Sequence, residues 1–156
     1  MYEDRIGKAK ELFSEGYNCA QSVVAAWADM YGVDKETALR MSCGFGGGMG
    51  RMRMTCGAAC GLFVLAGLEN GITDGADRQG KATNYQLVQK LADDFRKEMG
   101  SLTCAELLGL NKPEGTHIPE ERTEKYYKKR PCKEIVATAA RIYANYLEHK
   151  PNKIIE

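Results

Sequence analysis

Apolar residues recur at helical spacing along nearly the whole chain, and this periodicity predicts an all-α protein. Ile6, Ala9, Leu12 and Phe13 share one face of a first helix, about residues 3–15, which Gly16 stops. Asn18, with Gln21 three positions on, has the form of a capping box. It opens a second helix carrying Val23, Val24, Ala26, Trp27 and Met30 as far as Gly32. Asp34 caps a third helix, which bears Ala38, Leu39 and Met41 and ends near Gly44. The run from Cys56 to Leu68 is apolar on every side, the mark of a buried helix, with Thr55 as its cap and Gly71 as its end.

Beyond the polar stretch Thr73-Asp74-Gly75, a long amphipathic helix carries Tyr85, Leu87, Val88, Leu91 and Phe95 and closes at Gly100. Thr103 and Glu106 have the form of a second capping box, for a short helix from Cys104 to Leu108. Residues 111–130 contain Pro113 and Pro119 and read as an irregular connection, with a helical turn near Glu120 to Tyr127. Pro131 suits the first turn of a last helix, apolar at Ile135, Val136, Ala139, Ile142, Tyr143, Tyr146 and Leu147, which Pro151 terminates. No strand-like alternation survives. The expected fold is a compact multi-helix bundle, one domain over 1–156, with a buried central helix after a Gly-rich loop.

That loop, Gly44 to Gly50, reads Gly-Phe-Gly-Gly-Gly-Met-Gly and can adopt backbone angles closed to other residues. It lacks the register of a dinucleotide fingerprint and the Gly-Lys-Ser/Thr ending of a phosphate-binding loop. Its Gly46, Gly47 and Gly48 are instead candidates for presenting backbone donors to an anionic cofactor. Met41, Met49, Met52 and Met54 flank it, as a soft lining or as core filler.

The cysteines change the picture most. Cys19, Cys56, Cys104 and Cys132 directly follow the expected caps Asn18, Thr55, Thr103 and the helix-opening Pro131, so each stands in the first turn of a helix. Unpaired N–H groups and the positive end of the helix dipole there favour a thiolate over a thiol. Arg51 and Arg53 precede Cys56, which makes it the expected reactive nucleophile. Cys60 lies four positions on and suits either the site or plain packing, while Cys43, near a helix C-terminus, is expected to pack.

Composition sets limits on function. Lys and Arg number 22 against 21 Asp and Glu, a net charge of +1, without the excess positive charge of a nucleic-acid or anionic-membrane binder. No apolar run approaches the roughly 20 residues needed to span a bilayer, and the charged start Met1-Tyr2-Glu3-Asp4-Arg5 does not resemble a signal peptide. The expected setting is therefore the cytoplasm, where six cysteines point to metal binding or redox chemistry instead of structural disulfides. His117 and His149 are isolated, and the basic run Lys125 to Arg130 reads as a solvated face. The redox partner is not legible, and homo-oligomerisation is compatible with the composition.

The segment Cys56-Gly57-Ala58-Ala59-Cys60-Gly61 matches a Cys-Gly-Ala-x-x-Gly signature. With Glu15 to Ser22, the Phe45 to Gly50 loop, Gly100-Ser101 before Cys104 and the later Cys132, the chain resembles the C_GCAxxG_C_C redox-active family over about residues 5–147. The resemblance implies that Cys19, Cys56, Cys104 and Cys132 are the characteristic cysteines, with Cys43 and Cys60 as extras. Three chemistries fit four such thiolates. They could ligate an iron–sulfur cluster, most simply of the two-iron type. Cys56 could attack a disulfide, with another cysteine resolving it. A structural zinc could join the four helix starts in an interaction module.

Overall fold

The computed structural model describes residues 1–110 and 116–151. Its α-helices are α1 (Glu3–Ser14), α2 (Cys19–Trp27), α3 (Lys35–Ser42), α4 (Gly57–Asn70), α5 (Arg78–Met99), α6 (Cys104–Leu107), α7 (Glu124–Lys129) and α8 (Cys132–His149). Among the described residues no strand forms, and a single isolated bridge pairs Thr55 with Thr103. The all-α reading holds. Pro113, which was expected to interrupt the connection before α7, lies outside the described residues.

Local chemistry sets the helix ends. Gly16 takes φ +106° after α1, a left-handed angle that suits glycine, and Tyr17 N–H then donates back to the Leu12 carbonyl. At α2 the capping box is complete: Gln21 N–H donates to Asn18 Oδ1 at 2.9 Å, and Asn18 N–H donates to Gln21 Oε1 at 3.1 Å. The α2 helix stops at Trp27, earlier than the periodicity implied, and a 3-10 turn, Ala28–Tyr31, carries the chain to Gly32. Asp34 caps α3, as expected.

Two expected caps are corrected. Cys56 itself, not Thr55, is the N-cap of α4, because Thr55 is engaged in the bridge to Thr103. Thr103 precedes α6 without capping it through its side chain; Ser101 Oγ accepts from Thr103 N–H and donates to Glu106 in its place. Pro131 likewise is the N-cap of α8, one position before the first turn.

Central α4 crosses α2 closely. A Cβ on Gly57 would stand 2.4 Å from Cys19 Sγ, and one on Gly61 would stand 3.0 Å from Val23 Cβ, so two glycines one turn apart let the backbones approach. Most of α4 is buried, from Gly57 through Leu62 and at Leu65 and Ala66, but Phe63 and Val64 are partly exposed and Gly67 is exposed. Its all-round apolarity thus overstates its burial. Around it pack α2, the Leu87, Leu91 and Phe95 stripe of α5, and the Ile135 to Leu147 face of α8. A smaller cluster of Leu12, Val24, Ala25, Ala28 and Ala38 seats α3 against α1 and α2. Fully burying a large apolar side chain in such a core contributes about 1.5–3 kcal/mol.

Candidate functional site

The start of α2, the start of α4, α6 and the start of α8 meet at one end of the bundle. There Cys19, Cys56, Cys104 and Cys132 all line one cavity of about 60 Å³. Two backbone bonds hold the middle pair together. Cys104 N–H donates to the Met54 carbonyl at 2.6 Å, and Cys56 N–H donates to the Leu102 carbonyl at 2.7 Å. Residues 54–56 therefore run beside 102–104, which brings the two cysteines into register despite their distance in sequence. Cys19 arrives from α2 through the Gly57 contact, and Cys132 from the start of α8. All six cysteines are free thiols.

The glycine-rich loop is the floor of this arrangement. Gly47, Gly48, Met49, Gly50 and Arg51 all take φ between +61° and +72°, a short left-handed turn, and Arg53 follows at +59°. Such angles cost a non-glycine residue about 1–2 kcal/mol each, so the glycines carry most of the turn cheaply. The three candidate glycines divide their work. Gly47 lines the cavity and turns its N–H toward the Cys19 sulfur. Gly46 and Gly48 serve close packing, since a Cβ on either would collide with the Asn18 side chain or with Cys104 Cβ at 2.6 Å.

Electrostatics contradict one premise drawn from the helix ends. Burial pushes the Cys19 thiol up, against the Gly47 N–H that favours its thiolate. Burial first and the neighbouring Cys19 second push Cys56 well above the ordinary thiol range, and burial raises Cys132 to about 12. Desolvation penalises the charged form more than helix termini reward it. The expected charge near Cys56 is also redirected: buried Arg53 donates from Nη1 to Cys104 Sγ, 3.6 Å away.

A second guanidinium on the cavity wall gave no signal in the sequence. Arg122, from the connection before α7, donates to the Phe13 carbonyl at 2.8 Å and the Tyr17 carbonyl at 3.0 Å, at the negative end of the α1 dipole. Its guanidinium also lies 4.3 Å from the Phe13 ring centroid and 5.0 Å from that of Tyr126. Nothing in residues 116–123 marks that arginine out, because its partners are backbone carbonyls more than 100 positions away.

Other candidates fall elsewhere. Cys60 is buried, with Sγ 3.8 Å from the Thr55 carbonyl and its thiol raised to about 11 by burial, but it does not line the cavity. Cys43 is exposed, not packed. Met41, Met52 and Met54 are about half exposed, so they are neither core nor cavity lining. His117 and His149 are exposed. Among the described residues no three His, Cys, Asp or Glu side chains converge tightly enough to hold one metal ion.

Compared with known protein families, residues 17–146 match the one described as "Putative redox-active protein (C_GCAxxG_C_C)". The chain belongs to this family. The matched span of this C_GCAxxG_C_C protein takes in all four cavity cysteines and the left-handed loop, and leaves out the whole of α1. No curated protein and no solved structure matches the chain. Among the described residues no helix is long and apolar enough to cross a membrane.

Proposed function

We propose that the cavity is the redox centre of the protein, and that Cys19, Cys56, Cys104 and Cys132 together ligate an iron–sulfur cluster, of the two-iron type, for single-electron transfer. The observation that carries this reading is the convergence of four free cysteines, from four helix starts, on one cavity. Four cysteine ligands are the usual donor set for such a group. The cavity exceeds several-fold the ~10–15 Å³ that admits a single water. When bound, the cluster would supply reversible one-electron chemistry; the chain supplies its ligands, its charge balance and its shelter from water.

Each part of the chain has a role in this reading. The four thiols give up their protons on ligation, and sulfur–metal bonds replace the proton as the counter-charge that buried thiolates need. The raised thiol pKa values make cluster loading pH-dependent, stronger as pH rises. Arg53 and Arg122 place two positive charges on the wall, opposite the net negative charge that four thiolates bring. Phe13, Leu107 and Ile135 keep part of the wall apolar, which lowers the local dielectric.

The competing chemistries fit less well. A single tetrahedral zinc needs its sulfurs about 2.3 Å from one point, and among the described residues no group of three or more such side chains is placed to hold one ion. A thiol–disulfide enzyme needs an accessible thiolate, whereas Cys56 is buried and held protonated by its surroundings. A reducing cytoplasm suits the reading, and the partner would be a one-electron carrier. Anaerobic purification and reconstitution should give stoichiometric iron and sulfide with visible charge-transfer absorption. Colourless, iron-free protein in which a cysteine pair oxidises reversibly would replace this reading with the thiol–disulfide one.

A further inference from the structure

We infer that Arg53 is the residue that tunes this site: by donating to Cys104 Sγ it sets a fixed positive charge against that sulfur, and so raises the reduction potential of the centre. The inference rests on the cluster reading for the potential, but the Arg53–Cys104 contact itself stands apart from any metal. The guanidinium Nη1 is 3.6 Å from the sulfur, and both residues are 8% exposed. A cation in contact with sulfur, away from water, is neither screened by salt nor displaced by solvent. One electron delivered by an external carrier would make the bound group as a whole more negative, and a fixed cation against a ligand sulfur would stabilise the reduced state more than the oxidised one.

The backbone explains how the contact is kept. Arg53 takes φ +59°, an angle that glycine would adopt at no steric cost. Its N–H donates to the Gly47 carbonyl at 3.2 Å, its carbonyl accepts from Ala105 N–H at 3.3 Å, and the next carbonyl, Met54, accepts from Cys104 N–H. The same few bonds therefore fix both partners, donor and sulfur, on facing strips of chain. Strained backbone held this firmly is the setting in which a side chain has work that a relaxed residue could not do.

Redox titration of the reconstituted protein tests this with Arg53→Met, Arg53→Lys and Arg53→Gly. Arg53→Met is expected to weaken reduction about tenfold, 59 mV more negative for one electron, with Arg53→Lys shifted less. Arg53→Gly removes the strain along with the donor, so it should fold at least as readily and shift as far as Arg53→Met. Unchanged potentials in both Arg53→Met and Arg53→Gly would overturn the inference.

If wild-type protein takes up no iron or sulfide, the cluster reading fails and the inference falls with it; a loaded wild type whose Arg53→Met and Arg53→Gly variants keep its potential sinks the inference alone.

Discussion

The two ends of α2 lie about 12 Å apart along its axis, and they treat tyrosine hydroxyls and cysteine thiols in opposite ways. At the Trp27 end the Trp27 and Tyr143 rings meet edge to face at 5.1 Å. The Tyr31 and Tyr143 hydroxyls there have protein partners: they bond to each other, Tyr31 donates to Glu69 at 2.9 Å, and Lys150 reaches the same carboxylate at 3.0 Å. Burial holds both tyrosines protonated, so the hydroxyl pair is closed, while the Trp27 indole N–H beside it is buried without a hydrogen-bond partner among the described residues. At the Cys19 end four thiols surround a space instead of filling one another's needs, and burial raises three of them. One end pairs its hydroxyls with each other and with Glu69, and the other gathers thiols around a space.

The largest effect expected from this contrast is at the stable end. Trp27→Ala should cost about 3–5 kcal/mol, as large aromatic deletions in packed cores do, read as a shift in the urea midpoint. Iron bound per folded molecule should stay the same. A loss of loading in protein that is still folded would show that the two ends are coupled.

Raising pH from 9.0 to 10.0, no higher than the ordinary tyrosine value, draws on the buried thiols before the tyrosine pair at the other end. Cys132 and Cys60 hold their protons more tightly folded, to about 12 and about 11, than the 9.0 ordinary for a thiol. Their contribution to the stability of reduced, metal-free protein is complete below pH 9 and is lost as pH climbs through those folded values. Each can account for at most about 1.4 kcal/mol per pH unit in that window. Urea midpoints should fall from pH 9 upward in the cysteine form and fall less in Cys132→Ala. Equal slopes would mean that Cys132 is not desolvated.

Gly57→Ala strikes the other end. Its Cβ would stand 2.4 Å from Cys19 Sγ and 2.7 Å from the Phe45 carbonyl, so the α2–α4 crossing must open. Overpacking of this kind costs about 1–3 kcal/mol, less than losing Trp27, yet iron loading should collapse. Undiminished loading at lowered stability would show that Cys19 is not needed in the site.

Helix existence was legible because periodicity is a local property; which faces meet is not. The capping box at Asn18 and the cap at Asp34 could be read from residue type and spacing alone. Thr55 and Thr103 carried the same local signal and failed, because each is drawn into the bridge that joins two distant segments. Position in the sequence likewise singled out Cys19, Cys56, Cys104 and Cys132, and the fold places all four on one cavity. The ionisation of Cys19, Cys56 and Cys132 was misread, since dipoles are visible in a sequence and burial is not. Arg122 stayed hidden for the same reason: its ligands are carbonyls of Phe13 and Tyr17, and a carbonyl has no letter.

The smallest expected effect lies at the junction of helix and site. Asn18 caps α2 through its Oδ1, donates from Nδ2 to the Cys43 carbonyl at 2.9 Å, and also lines the cavity. Asn18→Ala removes both bonds, and caps of this type are worth about 1 kcal/mol. Asn18→Ser restores only the cap, because the shorter hydroxyl cannot span to Cys43. If the cap alone orders Cys19, Asn18→Ser should recover both midpoint and iron loading. If the tie to Cys43 also matters, Asn18→Ser should recover the midpoint but not the loading, because Gly46 and Gly47 would be free to drift from α2 and take the N–H away from Cys19. The contact that Gly46 makes with the Asn18 side chain favours the second outcome. Full recovery of both quantities in Asn18→Ser would confine the role of this residue to the helix end.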